Sequence, residues 1–121
     1  MPGSPKKILV VEDERPLSHA LVLKLTNEGY EVTPALNGQE CLDYLEKNTY
    51  DIVLLDLMMP VVDGFQVLDF LQKKGPMPYV VVLSNLSQPE DEARVKALGA
   101  KKYFIKSETP LSVIVEEVKK A

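Results

Sequence analysis

Short apolar runs separated by polar segments divide the chain into a regular series of predicted strands. Four runs are unbroken and rich in β-branched or aromatic residues, at 8–11, 52–55, 79–83 and 103–105, and a weaker one lies at 30–33. Each is bounded by glycine, proline or charged residues, which is typical of strands rather than helices. Because the apolar residues are continuous instead of alternating, we expect strands covered on both faces, as in a parallel sheet.

The segments that follow these runs have the periodicity of amphipathic helices, so five helices are predicted. Their apolar positions are Leu17, Leu21 and Leu25; Leu42 and Leu45; Phe65, Leu68 and Leu71; Ala93, Ala97 and Leu98; and Leu111, Ile114, Val115 and Val118. The fourth helix is the least convincingly amphipathic, because charged residues interrupt its apolar positions. We therefore expect it to be the most weakly anchored helix and a candidate for a two-state element.

Polar residues predict where several of these helices begin. Asp63 is well placed as the N-cap of the third helix, and Ser87-Gln88-Pro89-Glu90 has the pattern of a capping box at the start of the fourth. Thr109-Pro110 is expected to open the fifth helix. Glu14, like Asp63, is expected only to cap a helix.

The order of elements is therefore a strand followed by a helix, repeated five times. Each pair of successive parallel strands needs a crossover, and such crossovers are right-handed almost without exception. The sequence predicts a three-layer α/β/α sandwich around a five-stranded parallel sheet. We expect one domain over residues 1–121, with a core from about 6 to 120 and a flexible N-terminus at 1–5.

Composition narrows the class of protein. Fourteen basic against eighteen acidic residues give a net charge of −4 in a chain of 121 residues, which disfavours broad electrostatic binding of nucleic acid. The lone cysteine, Cys41, excludes an internal disulfide or a multi-cysteine metal site. No apolar run approaches the roughly 20 residues that span a bilayer, and none resembles a signal peptide. We expect a cytoplasmic protein that binds no membrane.

Groups suited to phosphate and metal chemistry follow four of the five strands. The first strand ends in Glu12 and Asp13, the third in Asp56, the fourth in Ser84 and the fifth in Lys106. In open parallel sheets, ligands bind beyond the carboxyl ends of the strands, so we expect these side chains to converge.

The charges at this edge call for a cation. Three carboxylates and one ammonium group leave a local balance of −2, and uncompensated carboxylates beside an apolar sheet repel each other and take up protons. Hard oxygen ligands with access to solvent suit Mg²⁺, which binds through a few carboxylates together with phosphate. The predicted chemistry is metal-assisted phosphoryl transfer in which one carboxylate is the nucleophile.

In four segments the chain resembles response regulator receiver domains, and the resemblance runs from Lys6 to Lys120. The segments are ILVVEDE at 8–14, DIVLLDLMMP at 51–60 with Asp63-Gly64 after it, VVLS at 81–84 and GAKKYFIK at 99–106. The resemblance implies the flavodoxin-like strand order 2-1-3-4-5. It also implies a signalling switch in a two-component system, rather than an enzyme that turns over a separate substrate.

The resemblance assigns the phosphoacceptor and the metal site. It implies that Asp56 accepts the phosphoryl group and that Asp13 and Asp56 hold Mg²⁺ or Mn²⁺. The backbone carbonyl of Met58 completes this set, and Glu12 acts through a water molecule.

The resemblance also assigns the residues that respond to the phosphoryl group. Lys106 pairs with its oxygens, the Ser84 hydroxyl moves toward it, and Tyr103 is an aromatic switch that turns inward. The face made by the fourth helix, fifth strand and fifth helix then changes. The implied donor is a sensor histidine kinase, a phosphotransfer protein or a small acyl phosphate, and the implied target is a downstream effector.

Three positions depart from the usual pattern of this family. Ser107 follows Lys106 where proline, often after a cis peptide bond, is usual, so the geometry of this bond is left open. Lys101-Lys102 occupies positions that are often acidic in members dimerising through the fourth-helix face; a monomer or a phosphorylation-dependent dimer is expected. Glu12 replaces the more frequent aspartate.

Other classes of protein remain as alternatives. A haloacid dehalogenase-like phosphohydrolase also uses aspartate, Mg²⁺ and lysine, but usually has a second acid where this chain has Met58. A flavodoxin-like flavin binder needs a phosphate loop after the first strand, where this chain has Glu12-Asp13-Glu14. The third alternative is a receiver that binds a partner without being phosphorylated.

Overall fold

A computed structural model describes residues 5–86 and 88–121 and has the predicted three-layer arrangement. A five-stranded sheet lies between two layers of helices, and every neighbouring pair of strands is parallel. The strands are β1 (Lys7–Val11), β2 (Glu31–Ala35), β3 (Ile52–Asp56), β4 (Tyr79–Ser84) and β5 (Lys102–Ile105). Their order across the sheet is β2-β1-β3-β4-β5, so the predicted topology is confirmed.

Within the described residues, five helices connect and cover these strands, as the periodicity predicts. They are α1 (Arg15–Asn27), α2 (Gly38–Lys47), α3 (Gly64–Lys74), α4 (Pro89–Ala97) and α5 (Leu111–Lys119). A short 3₁₀ turn, Lys106–Glu108, which the sequence did not predict, separates β5 from α5.

The sheet divides the apolar core into two clusters, one on each face. Within β1, Leu9 and Val11 face the cluster that includes side chains of α2, α3 and α4, whereas Ile8 and Val10 face the cluster of α1 and α5. Strands β3 and β4 alternate in the same way. Apart from Lys7 and Tyr79, the first residues of β1 and β4, every side chain of these central strands is buried, which explains why their sequences are continuously apolar.

Of the helix starts predicted from the sequence, those of α3 and α5 can be compared with the structure, and the capping box of α4 cannot. Asp63 caps α3 in a complete capping box, in which its side chain accepts a hydrogen bond from the Gln66 backbone and Gln66 reaches back to the Asp63 backbone. Pro110 is the N-cap residue of α5, close to the predicted start. The capping box predicted for α4 begins at Ser87, which lies outside the described residues, as do residues 1–4 of the predicted flexible N-terminus.

The connection from β3 to α3 is held tightly against the end of the sheet. The Gly64 N–H donates a hydrogen bond to the Leu57 carbonyl at 3.0 Å. A Cβ atom at Gly64 would lie 2.7 Å from the Asp56 carbonyl oxygen, so only glycine permits this approach of helix to strand. Between them, Val61 has a φ of +69° and an exposed side chain, an unusual conformation for a β-branched residue.

Two further observations bear on the expectations from sequence. Every peptide bond in the described ranges is trans, and this includes the bond between Lys106 and Ser107. None of the helices described has the length and apolar character that crossing a membrane requires.

Candidate functional site

Three carboxylates from the ends of β1 and β3 meet at the carboxyl edge of the sheet. Glu12, Asp13 and Asp56 each offer one oxygen, and these oxygens lie within 4.8 Å of one another. β1 and β3 are neighbours in register, with Val11 beside Leu55, so the residues that follow them are necessarily close. Glu12 and Asp56 are buried, whereas Asp13 is exposed.

The Lys106 ammonium group lies over this cluster from the end of β5. Its Nζ donates hydrogen bonds to Glu12 Oε2 at 3.1 Å and to Asp56 Oδ2 at 3.2 Å. Burial disfavours the charge on Lys106, but hydrogen bonds to Glu12 and Glu14 and the charge of Asp56 outweigh burial and raise its pKa above the usual value. Lys106 therefore stays protonated and keeps its donors at the site.

Burial has the opposite consequence for the two inner carboxylates. Removal from water raises the pKa of Asp56, and the Asp13 charge adds to this, while Lys106 and the Met58 N–H oppose it. Burial also raises the pKa of Glu12, against hydrogen bonds from Lys106 and the Glu14 backbone. Lys106 compensates for only part of the cost of holding these carboxylates ionised together.

The donor atoms present suit a hard divalent cation. Glu12 Oε1 is buried and accepts no hydrogen bond within the described chain, although it forms an ion pair with Lys106 Nζ at 2.9 Å. A buried carboxylate oxygen without a donor is costly and fits an ordered water molecule or a cation as its partner. Clustered carboxylates with one exposed member match the requirements of Mg²⁺.

Glu14 takes part in this site, which corrects the expectation that it only caps a helix. It occupies the N-cap position of α1, but its side chain makes no capping hydrogen bond. Its Oε2 instead lies 2.8 Å from Lys106 Nζ. With Glu14 included, this edge of the sheet holds four carboxylates and one ammonium group, so the local formal charge is −3 rather than the −2 expected from sequence.

Met58 contributes through its backbone, and its side chain is exposed. The Met58 N–H donates to Asp56 Oδ1 at 3.1 Å, so the two oxygens of Asp56 are held separately, one by this amide and the other by Lys106. This fixes the plane of the Asp56 carboxylate at the end of β3. The Met58 carbonyl belongs to the same turn.

The side chains of Ser84 and Tyr103 both form hydrogen bonds with Leu86, in the loop that leads to α4. The buried Ser84 Oγ accepts a hydrogen bond from the Leu86 N–H at 3.1 Å, and the Tyr103 hydroxyl donates to the Leu86 carbonyl. Tyr103 is half-buried and packs against the core cluster on the α2–α4 face. Both side chains thus hold the start of the β4–α4 connection, and the sequence did not indicate the part played by Leu86.

The loop after β5 is tied to the loop after β4 by a residue that sequence reasoning missed. The Ser107 N–H donates to Asn85 Oδ1 at 3.1 Å. A proline at this position would lack the donor for this bond. An asparagine directly after a predicted strand was the signal available, but its partner lies 22 residues further along the chain.

Comparison with known proteins gives a consistent family assignment. The family model described as "Response regulator receiver domain" matches residues 8–119. The regulatory protein VanRc of Enterococcus gallinarum is 36% identical over 109 residues, which are 90% of this chain and 47% of that protein. A probable transcriptional regulator, ycf27, of Porphyra purpurea is 37% identical over 91% of this chain and 45% of that protein. The chain thus spans about half the length of the curated relatives it matches.

Solved structures agree with the fold and with the sequence relatives. The receiver domain of the Francisella response regulator 1452 superposes with a TM-score of 0.88 at 28% identity, covering 95% of this chain and 94% of that one. The response regulator TrrA of Thermotoga maritima, solved in complex with Mg²⁺ and BeF, has a TM-score of 0.82 at 35% identity, covering 95% and 97%. With this fold, an acidic cluster at the expected edge and a family match over nearly its whole length, the chain belongs to the response regulator receiver domain family.

Proposed function

We propose that this chain is the phosphoacceptor of a two-component system and that Asp56 is the residue phosphorylated. The observation that carries the proposal is the environment of Asp56: a buried carboxylate at the end of β3 whose Oδ2 lies 3.2 Å from Lys106 Nζ, beside Glu12 and Asp13. The phosphoryl donor is a phosphohistidine of a sensor histidine kinase or phosphotransfer protein, or a small acyl phosphate.

The residues proposed to hold the metal are Asp13 and Asp56, with the Met58 carbonyl as a third ligand and Glu12 acting through water. The unpartnered Glu12 Oε1 supports this arrangement. When bound, Mg²⁺ or Mn²⁺ neutralises the carboxylates and stabilises charge on the transferred group. Asp13, the exposed member, is the ligand that an entering ion meets first.

The proposed reaction needs a nucleophile, a cation at the transferred group and little else. An oxygen of the ionised Asp56 carboxylate forms a bond to phosphorus while the bond to the donor breaks. The leaving group is an imidazole from phosphohistidine or acetate from acetyl phosphate. Lys106 and the Ser84 hydroxyl donate to the phosphoryl oxygens, so catalysis is mostly positioning and electrostatics. The chain modifies only itself and later loses the group to water.

The signal is proposed to leave through the face formed by α4, β5 and α5. Ser84 and Tyr103 both contact Leu86 in the loop that precedes α4. Movement of Ser84 toward a phosphoryl group breaks its hydrogen bond with Leu86 and releases this loop. The partner is an effector domain or protein whose binding depends on that change. We propose that residues 6–120 form the single domain that carries all of these steps.

The alternatives have weaker support in the site. A haloacid dehalogenase-like phosphohydrolase usually has a second acid two residues after the nucleophile, and here the exposed side chain at that position is that of Met58. A receiver that is never phosphorylated has no need for a lysine held against three carboxylates. Phosphorylation of Asp56 accounts for that arrangement.

The deciding experiment is incubation with acetyl phosphate and Mg²⁺, followed by intact mass measurement. Wild type should gain one phosphoryl group, and Asp56→Asn should gain none. Asp69→Asn is the matched control, because Asp69 lies on the surface of α3 in an ion pair with Lys73, and it should label like wild type. EDTA should abolish labelling of the wild type.

Two results would contradict the proposal. Labelling that persists in Asp56→Asn would remove Asp56 from the role of phosphoacceptor. No labelling of wild type by acetyl phosphate, or by phosphohistidine donors, would favour the unphosphorylated receiver. Repeated turnover of an unrelated phosphoester would instead favour the phosphohydrolase.

A further inference from the structure

The Lys106 ammonium group has three N–H donors, and carboxylates take all three. The partners are Glu12 Oε2 at 3.1 Å, Asp56 Oδ2 at 3.2 Å and Glu14 Oε2 at 2.8 Å. An ammonium group has no fourth donor. For Lys106 to bind an incoming phosphoryl oxygen, one of these hydrogen bonds has to be given up.

The three partners differ in their exposure to solvent. The side chains of Glu12 and Asp56 are 1% and 3% exposed, and that of Lys106 is 11% exposed, whereas that of Glu14 is 58% exposed. Glu14 therefore covers Lys106 from the solvent side, from which a phosphoryl donor arrives. Water can solvate a released Glu14 carboxylate, but it cannot do so for Glu12 without opening the core.

The backbone places Glu14 for this contact. Its N–H donates to Glu12 Oε2 at 2.9 Å, which fixes the position of Glu14 relative to the buried carboxylate. The side chain of an N-cap residue commonly accepts a hydrogen bond from a backbone N–H of its own helix. Glu14 is the N-cap residue of α1, but its side chain makes no such bond. The carboxylate reaches instead to a lysine 92 residues away.

We propose that Glu14 is a positioning residue. It accepts one of the three hydrogen bonds of the Lys106 ammonium group and competes with the phosphoryl group for that donor. This inference rests on the proposed phosphorylation of Asp56. Phosphorylation then includes an exchange of partners: Lys106 gives up its hydrogen bond with Glu14 and donates to a phosphoryl oxygen, and the Glu14 carboxylate turns to solvent. Glu14 thereby slows phosphorylation of Asp56.

The test compares Glu14→Gln with wild type and with Glu46→Gln, a control that removes the same charge from an exposed position on α2. The rate of labelling by acetyl phosphate should rise in Glu14→Gln by about two- to fivefold, the range that corresponds to an exposed ion pair. Glu46→Gln should label at the wild-type rate. Circular dichroism verifies that both variants are folded.

A second readout needs no phosphoryl group. The NMR resonances of the Lys106 side chain, ¹³Cε and ¹⁵Nζ, should shift in unphosphorylated Glu14→Gln and stay unchanged in Glu46→Gln. A purely structural role of Glu14 at the start of α1 would not move the Lys106 resonances.

The outcomes separate this inference from the proposed function. If wild type is labelled on Asp56 and Glu14→Gln is labelled no faster, the inference is wrong and the proposed function stands. An unshifted Lys106 resonance in Glu14→Gln overturns the inference equally. If wild type is not labelled at all, the proposed function and the inference fall together.

Discussion

Strand β3 contains two regions with opposite energetic consequences. Residues 52–55 lie in the centre of the sheet, buried between two apolar clusters, where each side chain stabilises the fold by leaving water. The next residue, Asp56, is buried as well, but it carries a carboxylate whose pKa is raised by that burial. Successive residues of one strand therefore differ sharply: the apolar ones stabilise the fold, and the next one holds an ionisable carboxylate at an energetic cost.

The largest effect is expected in the apolar region. Leu54→Ala should lower the free energy of unfolding by about 2–5 kcal/mol, because Leu54 is fully enclosed and its neighbours relax only partly into the space it leaves. Urea denaturation followed by circular dichroism measures this change. Leu23, which is exposed on α1, supplies the control: Leu23→Ala should alter stability by less than about 1 kcal/mol. Similar losses for both variants would contradict the difference in packing.

The apolar region is also the part that could be predicted from the sequence. Strands covered on both faces have continuous apolar sequences, and these mark β1, β3 and β4 within one residue of their observed bounds. β2 was marked less clearly, because it lies at the edge of the sheet and only Ala35 among its residues is buried. The convergence of Glu12, Asp13, Asp56 and Lys106 followed from the position of each at a strand end.

The contacts at the site that the sequence could not predict are those that depend on side-chain direction. Glu14 has the residue type and position of a helix cap, and its contact with Lys106 arises only when β5 is in place. The bond from Ser107 to Asn85 joins two loops in the same way. Position in the chain determines which loops meet, but not which of their polar atoms form hydrogen bonds.

A cation bound at the acidic edge should stabilise the folded state. Mg²⁺ should raise the free energy of unfolding by about 2.7 kcal/mol at a concentration one hundred times its dissociation constant, because it binds only the folded arrangement of carboxylates. Asp13→Asn should lose most of this increase, and Asp43→Asn, on the exposed face of α2, should keep it. Thermal or urea unfolding with and without Mg²⁺ makes the measurement. An equal gain in both variants would remove Asp13 from the metal site.

Replacing Asp56 with asparagine should remove the energetic cost of holding a charge in a buried position. At neutral pH and without Mg²⁺, Asp56→Asn should be more stable than wild type by about 0.5–2 kcal/mol, since it replaces an ionised buried group with a neutral one of similar shape. Burial raises the pKa of Asp56 above its usual 3.8, so in wild type the folded state binds this proton more tightly than the unfolded state. The contribution of Asp56 to the stability of wild type therefore falls as pH rises through the raised pKa.

This sign gives the pH dependence to look for. The greater stability of Asp56→Asn should be fully present above the raised pKa. It should disappear as pH falls to the usual value of 3.8 and below, where wild-type Asp56 becomes neutral like the asparagine. Denaturation of both proteins across that range measures the difference directly. A difference that stays constant with pH would show that the asparagine acts through packing rather than charge.

The smallest effect is expected in α4, which begins just beyond the acidic edge. Unlike β3, it has neither a fully buried apolar segment nor a buried carboxylate. In α4 only Val95 is buried, whereas α5 buries Ile114, Val115, Glu117 and Val118. The Arg94 guanidinium of α4 lies over the Phe65 ring, 3.8 Å from its centroid, and so ties α4 to α3. Amide exchange in α4 should accordingly be faster than in α5.

Arg94→Ala tests how much that contact holds. An exposed cation–π pair is worth about 0.5–1 kcal/mol, so α4 amides should exchange about two- to fivefold faster in this variant while α5 is unaffected. Lys96→Ala, on the same helix in a surface ion pair with Glu92, is the control for loss of a basic residue. Equal protection of α4 and α5, before and after phosphorylation, would rule out α4 as the movable element. Faster exchange in α4 than in α5 would support α4 as the movable element, because a weakly anchored helix needs little energy to shift.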